Sequence, residues 1–307
     1  MNLFWLKNKA KLKGLFQGSI PYLPLLQNGD SSPYFGNYEG QKYGPWDTDT
    51  CWNFAFTEIM ETRLTMLRAM NLIPADTLAW LNANGYVDKD GDFYLSRRWE
   101  GILSGVKDNG NFQAQGYLIA SQAGLIPNSM LPFNYSGTYT DATRAQFVAD
   151  YFNPAVITPA MKAMGQEFLK RFTIMGEMLD PTLANMVTYL HEGSMQIGTP
   201  AQAPGWNNQK VDRPVGDNNA DHSTELYKVD FSQAYPYYDY DSYQPNLKQL
   251  SKDYPIILLT RLYIYPKTVA QPLPLPQFST WMQIWFNIKA WLTGQPLPYP
   301  SVPVGSA

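Results

Sequence analysis

The sequence predicts an α+β protein with a helical first half, a strand-bearing second half and an extended arm at each end. Three observations predict it. Apolar residues recur at helical spacing from Phe54 through Ile59, Met60, Leu64, Leu67 and Met70. Residues 222–231 and 256–265 have the β-branched and aromatic composition of strands. After Pro266 the chain turns to Pro272, Pro274 and Pro276, then Trp281, Trp285, Phe286 and Trp291, then Pro296, Pro298, Pro300 and Pro303.

Taken in order, residues 1–37 read as an N-terminal arm. Its first seventeen are basic and amphipathic, with Lys7, Lys9, Lys11 and Lys13 among Leu3, Phe4, Trp5, Leu12 and Leu15. They lack the continuous apolar run of a secretory signal. Residues 38–267 form the central domain. The helix that begins near Cys51 should stop at 71–74, and Pro74 should open a second helix over 75–82. Asn84-Gly85 and Asp90-Gly91 are turn signals around a short strand or hairpin. Asp88-Lys89-Asp90-Gly91-Asp92 resembles the start of a calcium loop, but its glycine is misplaced and no glutamate follows at the twelfth position, so a plain acidic turn is expected. Residues 95–124 read as helical with a break at 108–111, and Gly124 as a C-terminal cap. An irregular stretch follows to 139. Surface helices are expected at 141–152 and 159–178, another helix at 183–191, a buried strand at 194–198 and a polar loop at 200–220. Residues 268–307 form the second arm, extended around one aromatic helix.

Composition excludes several function classes. The 307 residues are 45% apolar, enough for a core, and carry a net charge of −3. That charge, with no basic stripe beside the aromatics, argues against nucleic acid as a partner. One cysteine rules out an internal disulfide, and two histidines argue against a histidine-rich metal centre, so no metal or cofactor is expected. Charged residues are only 16% while aromatics reach 15%, which suits an extended contact surface. The C-terminal arm is expected to dock on a neighbouring subunit through its aromatic residues. Membrane contact through Trp281, Trp285 and Trp291 is disfavoured, because Lys289 is the one positive charge beside them.

The candidate chemistry starts at Cys51. At a helix N-terminus the unpaired N–H groups and the helix dipole favour a thiolate. Thr50 or Asp49 is placed to cap that turn. A thiolate nucleophile needs a histidine and a group to orient it. His222, where a polar loop meets a strand, can point into a cleft; His191, inside a helix, reads as a surface or capping residue. Asp239 and Asp241, among tyrosines, can accept the imidazole N–H. Gln41, ten residues before Cys51, can donate to an oxyanion together with the Cys51 backbone N–H. Each has a plainer reading: a buried apolar cysteine, a half-exposed loop histidine, a tyrosine-rich surface hairpin with solvated acids, and a loop glutamine. Asp47 and Asp49 put negative charge near the thiol and oppose a thiolate.

Taken together, these segments resemble papain-like cysteine peptidases. Cys51-Trp52-x-Phe54-Ala55 is similar to the family's nucleophile segment, Asp221-His222 to its histidine strand, and Asp241-Ser242-Tyr243 to its Asn-Ser-Trp segment. The order Gln41, Cys51, His222, Asp241 is the family's order. Leu95-Ser96, the 108–111 turn, Gly124-Leu125-Ile126-Pro127 and Leu131-Pro132-Phe133 resemble the loops that line its cleft. Glu39-x-Gln41, Asp47-Thr48 and Leu95-Ser96-x-Arg98 resemble divergent members encoded by tailed bacteriophages. The likeness covers about 38–265. Aspartate replaces the family's asparagine, Gln41 lies farther from the cysteine than usual, and the Gly-Ser-Cys run is absent.

The resemblance implies a two-lobe fold, with a helical lobe carrying the nucleophile and an antiparallel β-sheet lobe. It implies a thiol hydrolase of peptide or cell-wall peptide bonds. Cys51 would be the nucleophile, His222 the acid–base, Asp241 its orienting partner and Gln41 an oxyanion donor. Gly110 would let a substrate strand approach closely. The alternative is a catalytically silent phage structural component that works through its arms. Its partners would then be phage structural proteins rather than a polypeptide substrate. Synthesis in a host cytoplasm, with the virion as a further destination, goes with either reading.

Overall fold

A computed structural model of the chain describes residues 22–36, 38–43, 46–105, 110–133, 141–201, 205–216 and 219–267. Residues 1–21 and the 268–307 arm, with Trp281, Trp285, Trp291 and Lys289, lie outside the described residues. The chain divides into two units, residues 1–20 with 24–270 and residues 21–23 with 271–307. Every element below belongs to the first; of the second, only Tyr22 and Leu23 are described. Residues 24–36, assigned from the sequence to the arm, are tied to the first unit. The Leu25 and Leu26 N–H groups donate to the His191 carbonyl at 2.8 Å, and Asp30 pairs with Lys228 at 3.0 Å.

Helix α1 spans Cys51–Ala69. Its apolar spacing puts Phe56, Ile59, Met60 and Leu64 in the core, none of them exposed. Burying each such side chain stabilises the fold by about 1.5–3 kcal/mol. Helices α2 (Ala75–Ala83), α3 (Arg97–Leu103) and α4 (Ala114–Ala123) follow, then α5 (Arg144–Tyr151), α6 (Pro159–Arg171) and α7 (Leu183–Leu190). The acidic turn at 88–92 is an Asx turn: Asp88 Oδ1 accepts the N–H groups of Asp90 and Asp92, each at 2.9 Å. Gly124 caps α4 at φ +74, as its position in the sequence implies. A Cβ there would stand 1.9 Å from the Gly165 carbonyl oxygen, so only glycine lets α4 and α6 cross this closely.

The strands are a short hairpin, β1 (Lys42–Tyr43) with β2 (Trp46–Asp47), and a seven-stranded sheet. The sheet strands are β3 (Phe172–Leu179), β4 (Met195–Thr199), β5 (Lys210–Val211), β6 (His222–Val229), β7 (Tyr237–Tyr240), β8 (Leu247–Leu250) and β9 (Leu258–Pro266). Their order is β3-β9-β4-β6-β7-β8-β5, antiparallel throughout except for β5 against β8. One core joins α1, α4 and α6 to β3 and β9; a second packs α7, Trp206 and Tyr254 on β4, β6 and β8. The α+β class with a helical part and a mostly antiparallel sheet is therefore correct.

Three expectations needed correction. Residues 172–179 are strand β3, not the end of a helix. The apolar spacing Met161, Gly165, Phe168 continues at i+4 to Phe172, so the helical period overruns the strand. Gly176 marks the change, because a Cβ there would lie 2.3 Å from the Tyr117 ring of α4. Helices α5 and α6 are not purely superficial, since Phe147, Tyr151 and Phe168 are fully buried. The tyrosine-rich segment is strand β7, paired inside the sheet between β6 and β8, with the turn that follows it, and Asp239 and Asp241 are both buried rather than solvated.

Candidate active site

Cys51 is the first residue of α1 and is half-buried. Helix geometry leaves the N–H groups of this first turn without intrahelical acceptors. The expected side-chain cap is not made: the Thr50 hydroxyl is engaged with that of Thr48 at 2.6 Å, and Asp49 takes a left-handed φ of 52°. The turn is held from the sheet instead. Gln196 Nε2 on β4 donates to the Trp52 carbonyl at 2.7 Å and to Ser223 Oγ at 2.9 Å. Gln113 Nε2 donates to the same Ser223 oxygen at 3.1 Å. This buried chain fixes the start of α1 against the first residues of β6.

His222 opens β6 opposite Thr199 of β4. Its Nε2–H donates to Asp241 Oδ1 at 2.6 Å. Cys51 is the other group that acts on the imidazole, and with Nε2 committed to Asp241, Nδ1 is the ring nitrogen not engaged by that carboxylate. The Tyr243 ring stacks on the imidazole at 4.7 Å and 12°, and Trp206 meets it edge-on at 5.6 Å. Burial by itself would lower the proton affinity of His222. The Asp241 carboxylate and Cys51 outweigh burial and hold it well above the ordinary histidine value.

Of the two acids left open by the sequence, Asp241 faces the histidine. Its Oδ2 accepts from Trp206 Nε1 at 2.8 Å and from Lys248 Nζ at 2.6 Å. Burial would raise this carboxyl, but His222 and Lys248 keep it below the usual carboxylate range. Asp239 accepts from the Thr224 hydroxyl at 2.5 Å. Burial, then the charge of Asp241, push Asp239 up to about 7.

Gln41 is beside the site but turned to other work. Its Nε2 donates to Asp47 Oδ1 at 2.6 Å and to the Tyr243 hydroxyl at 2.7 Å, and its Oε1 accepts from Ser242 at 2.6 Å. Both Gln41 N–H groups are therefore engaged by Asp47 and Tyr243. Asp47 also accepts from the Tyr243 hydroxyl at 2.5 Å, and Asp49 pairs with Arg144 at 3.3 Å. Of the two acids expected to oppose a thiolate, Asp49 is thus paired with a cation, while Asp47 is held by hydrogen bonds beside the site. His191, the residue that ends α7, contacts the Leu26 carbonyl through Nδ1 at 2.7 Å and lies outside this cluster.

Sequence reasoning missed Lys248, Trp206 and the Tyr243 hydroxyl. Lys248 sits seven residues past Asp241 across a turn, visible only once β7 and β8 are paired. Trp206 comes from the polar loop, where a lone tryptophan among Gly, Asn and Gln was the available signal. Among the described residues, no group of three or more His, Cys, Asp or Glu side chains could hold a metal, and no helix is long and apolar enough to cross a membrane.

No family model matches the chain, and no curated protein matches it in sequence. Two solved structures align with most of it. One comes from work on antibody cross-reactivity between the mite allergens Blo t 1 and Der p 1. It has 14% identity and a TM-score of 0.47, covering 83% of this chain and 77% of that one. The other is the proform of the ragweed pollen allergen Amb a 11, a cysteine protease. It also has 14% identity and a TM-score of 0.47, covering 84% of this chain and 74% of that one.

Proposed function

We propose that the chain is a papain-like thiol hydrolase that cleaves peptide or cell-wall peptide bonds. The observation that supports this reading is the His222–Asp241 hydrogen bond at 2.6 Å, with the half-buried Cys51 at the N-terminus of a long helix acting on the same imidazole. Each member of the proposed relay, Cys51 to His222 to Asp241, has the role its surroundings favour. His222 takes the thiol proton and stays as imidazolium beside the thiolate, whose charge the first-turn N–H groups also stabilise. The sulfur attacks the carbonyl carbon, and the developing oxyanion is held by the Cys51 backbone N–H. His222 then gives its proton to the leaving amine as the C–N bond breaks, leaving a thioester. A water that surrenders a proton to His222 attacks the thioester; the acid leaves, and the proton returns to sulfur. Asp241 fixes the tautomer and ring orientation throughout.

Asp241 in place of an amide, and Gln41 tied to Tyr243, depart from the family's pattern without breaking the relay. Gln41 would support the site by steadying the ring stacked on His222. The finer likeness to tailed-phage proteins, a virion destination and docking through the C-terminal arm rest on sequence pattern alone. They are tested by deleting residues 268–307, which should leave a folded protein that fails to assemble.

The test of the hydrolase uses the single cysteine. Iodoacetamide labelling followed by mass spectrometry reports Cys51 alone. Fast labelling that persists below neutral pH and collapses in His222→Ala is expected. Labelling that rises only at alkaline pH, and is the same in both proteins, would sink the reading.

A further inference from the structure

Lys248 has no part in the relay, yet it is as deeply placed as any member of it. It stands on β8 directly opposite Asp239 of β7. Its side chain and that of Asp241 are both 0% exposed, with Nζ 2.6 Å from Asp241 Oδ2. Nζ also donates to the Tyr243 carbonyl at 2.9 Å and lies 5.1 Å from the centre of the Trp206 ring. Removing an ammonium from water is costly unless an opposite charge meets it. The opposite charge here is the one that orients His222.

The two Asp241 oxygens divide the work: Oδ1 receives the imidazole N–H, and Oδ2 receives Lys248 and Trp206. An unaccompanied buried carboxylate would grip the imidazole proton hard and repel the neighbouring thiolate. A cation on the far oxygen cancels that charge while leaving the near oxygen free to accept. We propose that Lys248 is a positioning residue that neutralises Asp241, so that the pair orients His222 with the geometry of a carboxylate and the net charge of an amide. The inference rests on the hydrolase reading for its meaning but not for its measurement.

The groups that face His222 set its titration. They are Cys51 from α1 and Asp241 and Tyr243 from the β7–β8 turn, with Trp206 on the ring edge. Asp239 on β7 and Lys248 on β8 stand behind Asp241. Behind the stacked Tyr243 ring stand a second cation and a further acid, Lys42 with Nζ 4.5 Å from the ring centre and Asp47 on the hydroxyl; Lys248 is the cation bonded to Asp241, so its loss should be felt as an unbalanced negative charge.

The chain has two histidines, so isotope-labelled histidine NMR can follow His222 directly once His191→Gln has assigned the other ring. Lys248→Met should raise the His222 titration midpoint by about one pH unit or more, and move the acid limb of Cys51 alkylation the same way. Asp241→Asn with Lys248→Met removes both charges and should bring the midpoint back to within about half a pH unit of wild type, or below it. Should Lys248→Met alone fail to fold, the comparison is the double variant against Asp241→Asn. The uncompensated lysine of the latter should give the lower midpoint. A folded Lys248→Met protein with an unmoved midpoint, or a double variant that keeps the shift, overturns the inference. Alkylation that ignores His222→Ala while the midpoint still moves would remove the hydrolase reading and leave the neutralisation standing.

Discussion

Helix α1 carries two buried ionic clusters, and they differ in one respect. Two turns in, Glu58 and Glu61 surround Arg97: Nη2 meets Glu58 at 2.6 Å and Glu61 at 3.0 Å, and Nη1 meets Glu39 at 2.8 Å. Glu61 also accepts the Leu95 N–H at 2.7 Å, and Asn53 donates to the Arg97 carbonyl. This knot ties α3 to α1, and the one member that solvent reaches is the Glu39 carboxylate, already paired with Arg97. At the first residue, His222, Asp241 and Lys248 make a comparable cluster, but it ends on a sulfur that solvent can reach. Burial and pairing alone therefore do not mark a functional site, because structural clusters show the same features. What sets the second cluster apart, and what the proposed function rests on, is its end on a thiol at a helix N-terminus.

The largest expected effect tests that end. Cys51→Ala should lower hydrolysis by on the order of 10⁴-fold or more, while changing unfolding free energy by about 1 kcal/mol or less. Denaturant melts beside turnover assays separate the two. Arg97→Met should do the reverse. It strands two buried carboxylates and should cost about 3–5 kcal/mol in urea unfolding, yet leave the pH midpoint of Cys51 alkylation unchanged in the folded fraction. If Arg97→Met moved that midpoint, the two clusters would be one electrostatic unit and the contrast would fail.

Stability against pH sharpens the comparison. His222 is raised in the folded state, so its contribution is full below about pH 6.5 and lost as pH climbs through the higher folded value. Asp241 is lowered, so its contribution holds above about pH 3.9 and is lost as pH falls through the folded value. In the Arg97 cluster burial raises Glu58 and Glu61, so stability there declines from about pH 4.3 upward. His222→Gln should remove only the part of the alkaline decline that begins near pH 6.5, about 1.4 kcal/mol for each unit by which the folded value is raised. Calorimetry across pH 4–9 would show it, and a decline identical to wild type would mean that His222 contributes none of it.

How legible all this was depends on whether neighbours in space are neighbours in sequence. Helix α1 was legible because Cys51 follows a polar run and its apolar residues keep one period. Strand β6 and His222 were legible from composition, and the order of Cys51, His222 and Asp241 from resemblance. Strand β3 was not, because Phe168 and Phe172 share a helical interval across the boundary. The ion pairs were not, because Lys248 reaches Asp241 across a turn and Arg97 reaches Glu61 across 36 residues. One signal was available: Glu58 and Glu61 lie three apart between the apolar pairs Phe54–Phe56 and Leu64–Leu67 of one helix, and two buried carboxylates need a cation beside them.

The smallest effect separates the stacked ring from its hydroxyl. Tyr243→Phe keeps the ring on His222 and deletes the oxygen that donates to Asp47 and accepts from Gln41. Asp47 retains Gln41 and the Asp49 N–H at 2.9 Å, so no buried acid is stranded, and the cost should be about 1 kcal/mol. The alkylation midpoint should stay within about 0.3 pH unit, because no charge near His222 changes. One Gln41 N–H is released by the same substitution. Turnover that holds or rises in Tyr243→Phe, and then falls in the double variant with Gln41→Ala, would mean that the freed amide can reach the oxyanion after all. Equal turnover with and without Gln41 leaves the Cys51 backbone N–H as the donor. The cluster that ends on Cys51 should tolerate a lost hydroxyl at its rim, where the Arg97 cluster does not tolerate a lost cation at its centre.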